Sequence, residues 1–139
     1  MSMNIGNAAK SAGVSAKMIR YYEQIGLIPE AKRTDTGYRT FSASDINSLQ
    51  FIRRCRELGF SLTEIQGLLE MWRNESRHSA DVKKIVQSQI EDLEQRIYNL
   101  QQMTETLKSM MGSCPGNDNP ACPILNRLSI NNNKHGEID

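Results

Sequence analysis

At 139 residues, with 38% hydrophobic, 24% charged and only 6% aromatic side chains, the chain has the length of one domain or two small ones and a globular, helix-rich composition. No stretch approaches the ~18 apolar residues of a membrane span, and the opening Met1-Ser-Met-Asn-Ile lacks the basic and apolar segments of a secretory signal, so a cytoplasmic protein without a membrane partner is expected. Net charge is +1, but residues 1–60 hold 9 Lys/Arg against 5 Asp/Glu while residues 61–139 hold 8 against 11, and a basic front half suits a polyanionic partner.

In chain order, Ile5 to Gly13 reads as a short helix ended by its glycine. Ser15 is a good N-cap for a second helix, Ala16 to Ile25, which stops at Gly26. Met18, Ile19, Tyr22 and Ile25 form its apolar stripe, and Lys17, Arg20 and Tyr21 fall on the other side. Two short helices joined by a tight turn containing Gly make a helix-turn-helix. Pro29 and Asp35-Thr36-Gly37 are turn signals, and the β-formers Tyr38, Thr40 and Phe41 follow, which predicts a small β-hairpin, a wing. Ser42 with Asp45 and Ser61 with Glu64 are capping boxes. The first opens a third helix, Ile46 to about Leu58, with Ile46, Leu49, Ile52 and Cys55 inward. The second opens a fourth helix to about Trp72.

From Ser79 to Met111 there is neither Pro nor Gly. Val86, Ile90, Leu93, Ile97, Leu100, Thr104, Leu107 and Met111 alternate steps of four and three, a coiled-coil seam. At ~1.5 Å per residue such a helix is roughly 50 Å long, too long to bury its stripe against so small a front domain. A second copy, parallel or antiparallel, is the economical partner. Gly112 is expected to close this helix. Ile124 to Leu128 reads as one apolar helical turn folding back, and Asn131 to Asp139 as a disordered polar tail.

Between these lie Cys114 and Cys122, separated by seven residues on a loop rich in Pro and Gly. Thiolates select soft ions. Structural zinc takes four ligands, and this loop offers two, which points to a monovalent ion: Cu(I), Ag(I) or Au(I). A disulfide-based redox switch and two unrelated cysteines are the alternatives. Cys55 reads as a small buried residue. Catalysis is not expected, because there is no Ser/His/Asp set, no Gly-rich phosphate loop and no Cys-x-x-Cys in a βαβ setting. A copper chaperone would have no use for the winged front half.

The run Met18-Ile-Arg-Tyr-Tyr-Glu-Gln-Ile-Gly-Leu-Ile28, then Arg33, Gly37-Tyr-Arg39 and Phe51-Ile-Arg-Arg-Cys-Arg-Glu-Leu-Gly-Phe60, resembles the MerR family of bacterial transcription regulators. His78-Ser79 and Cys114-Pro…Cys122-Pro-Ile are similar to that family's copper-, silver- and gold-responsive branch, in which a Ser replaces the Cys of divalent-ion sensors; Ser79 fills that position. The resemblance implies a mostly α fold: a winged helix-turn-helix domain at 3–73, a long antiparallel coiled-coil dimerisation helix at 79–111, a metal-binding loop and short helix at 112–130, and a tail at 131–139. It implies a homodimer on a palindromic promoter with an overlong spacer, where metal-free protein holds the DNA in a form RNA polymerase cannot use and metal-bound protein untwists it. It assigns DNA contacts to Ser15, Lys17, Arg20, Tyr21, Arg33, Gly37, Tyr38, Arg39 and Arg56. One Cu(I), Ag(I) or Au(I) per subunit would bind Cys114 and Cys122, with His78 and Ser79 in the surrounding shell. A MerR-type sensor of thiol/disulfide state is the alternative function.

Overall fold

In the computed structural model the described residues are 2–113, 116 and 122–135. They form α1 (Ile5–Ala12), α2 (Ala16–Gln24), β1 (Lys32–Arg33), β2 (Arg39–Thr40), α3 (Ala43–Glu57), α4 (Leu62–Arg73), α5 (Ser79–Ser113) and α6 (Pro123–His135). Each of the first four helices starts where a side-chain oxygen meets amides that lack an intrahelical partner. Asn4 Oδ1 accepts from Asn7 N at 2.8 Å and Ser15 Oγ from Met18 N at 3.1 Å. Both expected capping boxes close: Ser42 Oγ accepts from Asp45 N at 3.1 Å while Asp45 Oδ2 accepts from Ser42 N at 2.8 Å, and Ser61 and Glu64 repeat the pair at 3.1 and 2.8 Å. With Asp45 as the third helical residue, α3 begins at Ala43 rather than at Ile46.

The chain divides into two compact units, Met1–Gln89 and Ile90–Asp139, and the division falls inside α5. In the first unit Ile19 and Tyr22 of α2, Leu49 and Ile52 of α3 and Ile65 and Leu69 of α4 are buried together with Phe41. Val82 and Ile85 on the first turns of α5 pack against the same core. Ile25, expected on the buried stripe of α2, is 42% exposed instead; it is the C-cap, past the last helical turn, and the backbone there no longer continues the stripe. Cys55 is buried, and burial pushes its thiol above its ordinary pKa.

The wing is a two-stranded antiparallel hairpin with Lys32 opposite Thr40 and Arg33 opposite Arg39. Its turn closes through Thr34 N to Tyr38 O at 2.8 Å and Gly37 N to Thr34 O at 2.9 Å. Phe41 leaves the hairpin to bridge with Met3, exchanging backbone hydrogen bonds of 2.8 and 2.7 Å, and anchors the wing in the core.

In the second unit Ile90, Leu93, Ile97, Leu100, Leu107 and Met111 are all exposed on α5. The helix runs through Gly112, which does not take the positive φ that ends α1, and Ser113 Oγ donates to Met110 O at 2.8 Å, occupying a last-turn carbonyl. α6 is longer than the single turn expected. Pro123, with its φ preset for a first helical position, opens it, and it extends through the Asn run to His135, so the disordered tail expected from Asn131 is helical as far as that residue. Once a first turn exists, each further residue adds a hydrogen bond at little cost, even for a weak helix former such as Asn. Ile124 and Leu128 line one apolar groove with Met103, Leu107 and Met110 of α5, and Met110 is buried. Among the described residues no helix is long and apolar enough to cross a membrane.

Candidate nucleic-acid interface and cysteine loop

α1 ends at Gly13, whose φ of 72° lets its N–H reach Ala9 O and turns the chain into α2. A Cβ at Gly13 would also collide with the Arg53 guanidinium. The turn therefore fits closely between the two helices and α3. With Ile19 and Tyr22 pinned in the core, α2 presents Lys17, Arg20 and Tyr21 to solvent. Ser15 is exposed, but its hydroxyl is occupied in capping the helix.

In the wing, Arg33 Nη1 donates to Gly37 O at 2.8 Å across the turn. Gly37 has φ 90° and Tyr38, at the tip, is 73% exposed. Arg39 is placed differently from its neighbours. Its Nε lies 2.8 Å from Glu23 Oε1, and the other oxygen of Glu23 accepts from Ala31 N. Burial raises the Glu23 pKa, but the Ala31 amide and the Arg39 guanidinium outweigh it and hold the carboxyl below its ordinary value. Arg20, Glu23, Gln24, Glu30 and Arg39 line a cleft between α2 and the wing.

Arg56 is exposed and lines a second cleft with Gly13, Ser15, Met18 and Arg53 beside the helix-turn-helix turn. The tertiary fold thus brings a cation of α3 next to the start of α2. Arg53, which the sequence reading passed over, lies in the same place and pairs with Glu57 at 3.3 Å. The signal available for it was the run Arg53-Arg54-Cys55-Arg56, whose outward members flank a buried Cys55.

Cys122 is half-buried and stands immediately before α6, its carbonyl accepting from Asn126 N at 3.1 Å in the first turn. Cys114 lies outside the described residues, as do Pro115 and 117–121. His78 and Ser79 are exposed at the start of α5, where His78 O accepts from Asp81 N at 3.0 Å. Among the described residues no group of three or more His, Cys, Asp or Glu side chains is placed to hold a metal ion.

Residues 3–72 match the family described as MerR HTH family regulatory protein, and residues 46–110 match the one described as MerR, DNA binding. The chain is 52% identical over 127 residues to heavy metal-dependent transcription regulator 2 of Rhizobium meliloti (strain 1021), covering 91% of this chain and 86% of that protein. It is 41% identical over 127 residues to the HTH-type transcriptional regulator CueR of Salmonella typhi, covering 91% and 92%. Its fold matches the transcription regulator PbrR691 from Ralstonia metallidurans CH34, solved in complex with lead(II), with a TM-score of 0.81, 30% identity and coverage of 91% of this chain and 98% of that one. A winged helix-turn-helix front, a long helix with an apolar seam and these matches over nearly the whole chain make the protein a member of the MerR family of helix-turn-helix transcription regulators.

Proposed function

We propose that the protein is a homodimeric transcription activator that responds to a monovalent coinage ion, Cu(I), Ag(I) or Au(I), held one per subunit by Cys114 and Cys122, and that its targets are copper, silver or gold efflux and tolerance genes. The observation that carries the metal reading is the position of Cys122. It stands immediately before α6, and the first turns of α6 share an apolar groove with Met110 and Leu107 at the end of the long helix. Holding Cys122 to Cys114 therefore fixes where α6 starts, and α6 is in turn packed on the dimerisation helix. Two thiolates around a monovalent ion leave a net charge of −1, which a helix N-terminus favours; around a divalent ion they leave none. The partner subunit's His78 and the partner subunit's Ser79 would complete the surroundings without a third thiolate.

On the DNA side, α2 of each subunit enters the major groove of one half of a palindromic promoter. Lys17, Arg20 and Tyr21 reach bases and phosphates, the Ser15 turn and Arg56 lie along the backbone, and Arg33, Gly37 and Tyr38 bring the wing to the neighbouring phosphates. Arg39 acts in two ways: its Nε holds the wing to α2 through Glu23, and its remaining nitrogens are available to a phosphate. The ion need not alter DNA affinity. It must favour the dimer conformation that untwists the promoter for RNA polymerase over the one that does not.

An anaerobic titration of the dimer with Cu(I) against a strong competing chelator, with Zn(II) alongside, tests this. One tightly bound Cu(I) per subunit, lost in Cys114→Ser and in Cys122→Ser, with no comparable Zn(II) binding, is the expected result. Weak Cu(I) binding, or equally tight Zn(II), overturns the two-thiolate site; a Cys114–Cys122 disulfide in the transcriptionally active form would put the thiol/disulfide sensor in its place.

A further inference from the structure

Gln89 is a polar side chain in the interior of the first unit, 7% exposed. Its Nε2 donates to Leu58 O at 2.8 Å. Leu58 caps the C-terminus of α3, and its carbonyl belongs to the last turn, which has no intrahelical donor to offer it. The next residue, Gly59, takes φ 86°, and a Cβ there would lie 2.8 Å from the same Nε2. The end of α3 is thus shaped around the Gln89 amide. Val82, Ile85 and Gln89 fall on one stripe of α5, the first two packing on the core and the third hydrogen-bonding to it. Gln89 is also the last residue of the first unit. Apolar packing is non-directional and tolerates small slides and rotations; a hydrogen bond loses its strength when its angle is lost.

We infer that Gln89 is a specificity-determining residue for operator spacing: by locking α3 at one register and rotation on α5, it sets how far apart the two recognition helices of a dimer meet their half-sites. The inference rests on the dimeric, DNA-binding part of the proposed function and not on the metal. A one-base-pair change in spacing moves a half-site by about 3.4 Å along the duplex and rotates it about the axis, a mismatch that a locked α3 resists and a loose one follows.

The test is enrichment of a duplex library, carrying two randomised half-sites around spacers of differing length, by metal-free full-length protein, followed by affinity measurements on the selected half-sites at each spacing. Wild type should favour one spacing over its neighbours. Gln89→Met removes the donor but keeps the length, and should lose about five- to tenfold of that preference, the scale of one hydrogen bond. Gln89→Lys, which still offers a donor to Leu58 O, should restore it. A Gln89→Met protein that keeps the single spacing, or that loses affinity equally at every spacing, overturns the inference. So does a Gln89→Lys protein as permissive as Gln89→Met. If Gln89→Met does not fold by thermal melting, Gln89→Glu, with no donor to offer, is compared with Gln89→Lys, and equal spacing preference in the two overturns it. A wild-type protein that enriches no paired half-sites overturns the dimeric reading and this inference with it, whereas failure to bind Cu(I) leaves the spacing result standing.

Discussion

Glu23 and Arg39 are sixteen positions apart in the chain and meet at 2.8 Å between Oε1 and Nε, joining α2 to the second strand of the wing. The Glu23 side chain is 7% exposed, and its second oxygen is taken by the Ala31 amide at the entry to the wing. A single carboxylate therefore ties both arms of the loop that carries the hairpin to the last turn of α2. A hairpin with strands of two residues has little stability of its own, so its orientation beside α2 depends on this tie and on Phe41.

Replacing Glu23 by Gln keeps the shape but removes the charge and one acceptor. A loss of about 1.5–3 kcal/mol is expected, as for a hydrogen bond to a charged group, together with weaker DNA binding through a misplaced wing. The Glu23 carboxyl is held below its ordinary value in the fold, so its contribution is complete at pH above the unfolded carboxylate's pKa and is lost as pH falls through the lower, folded value. Thermal melts of wild type and Glu23→Gln should therefore differ most near neutral pH and converge in acid. A gap that is constant with pH would mean the carboxylate does not act through its charge.

Most of this architecture was legible in the sequence because it is written in local chemistry. Ser42 with Asp45, and Ser61 with Glu64, announce two helix starts within four residues each, and the hydrogen bonds are there. Gly13 and Ser15 bracket the turn for the same reason. What the sequence could not show are contacts between distant positions. Nothing in the motif around Arg39 says that its partner is Glu23, and nothing in the heptads says that Gln89 faces inward to Leu58. The extension of α6 past Leu128 was illegible as well, because Asn131-Asn132-Asn133 is a poor helix former by propensity. The candidate site divides the same way: the exposed face of α2 follows from helical period, whereas Arg53 and Arg56 reach the helix-turn-helix turn only through the packing of α3.

Gly13→Ala should be costly because of its backbone conformation. The φ of 72° is a left-handed conformation that a side chain resists, worth about 1–3 kcal/mol, whereas the half-exposed, flexible end of Arg53 can move aside from the new Cβ at little further cost. A fall in melting temperature of at least about 4 °C is expected for a unit of this size. Gly13→Asn, which tolerates that conformation better, should recover part of the strain. Equal melting of Gly13→Ala and wild type would show that the turn relaxes freely.

Arg33 and Arg20 should separate by the kind of contact they make. Arg33 lies in the wing turn, with Nη1 on Gly37 O, and Arg33→Ala should weaken binding to all duplexes alike and reduce the slope of log K against log salt by about one. Arg20 is exposed on the outer face of α2; Arg20→Ala should relax sequence preference, by about 1–3 kcal/mol if it reads a base edge. Affinity measured across a salt series on a selected site and on random duplex distinguishes the two. An unchanged salt slope in Arg33→Ala removes that residue from the phosphate contacts.

Leu100 tests the dimer. It is 61% exposed on α5 and sits in the middle of the seam formed by Ile97, Thr104 and Leu107. Burying such a side chain against a second copy is worth about 1.5–3 kcal/mol, and each dimer contains two of them. Leu100→Lys replaces that gain with a charge to be desolvated on both copies, so sedimentation should show monomers at concentrations where wild type is dimeric, and binding to the palindrome should fall with it. Gln95→Lys, on the face of α5 opposite the seam and also exposed, should leave both unchanged. If Leu100→Lys stays dimeric, the copies meet through some other face of α5, and the heptad spacing of its apolar residues has been misread as an interface.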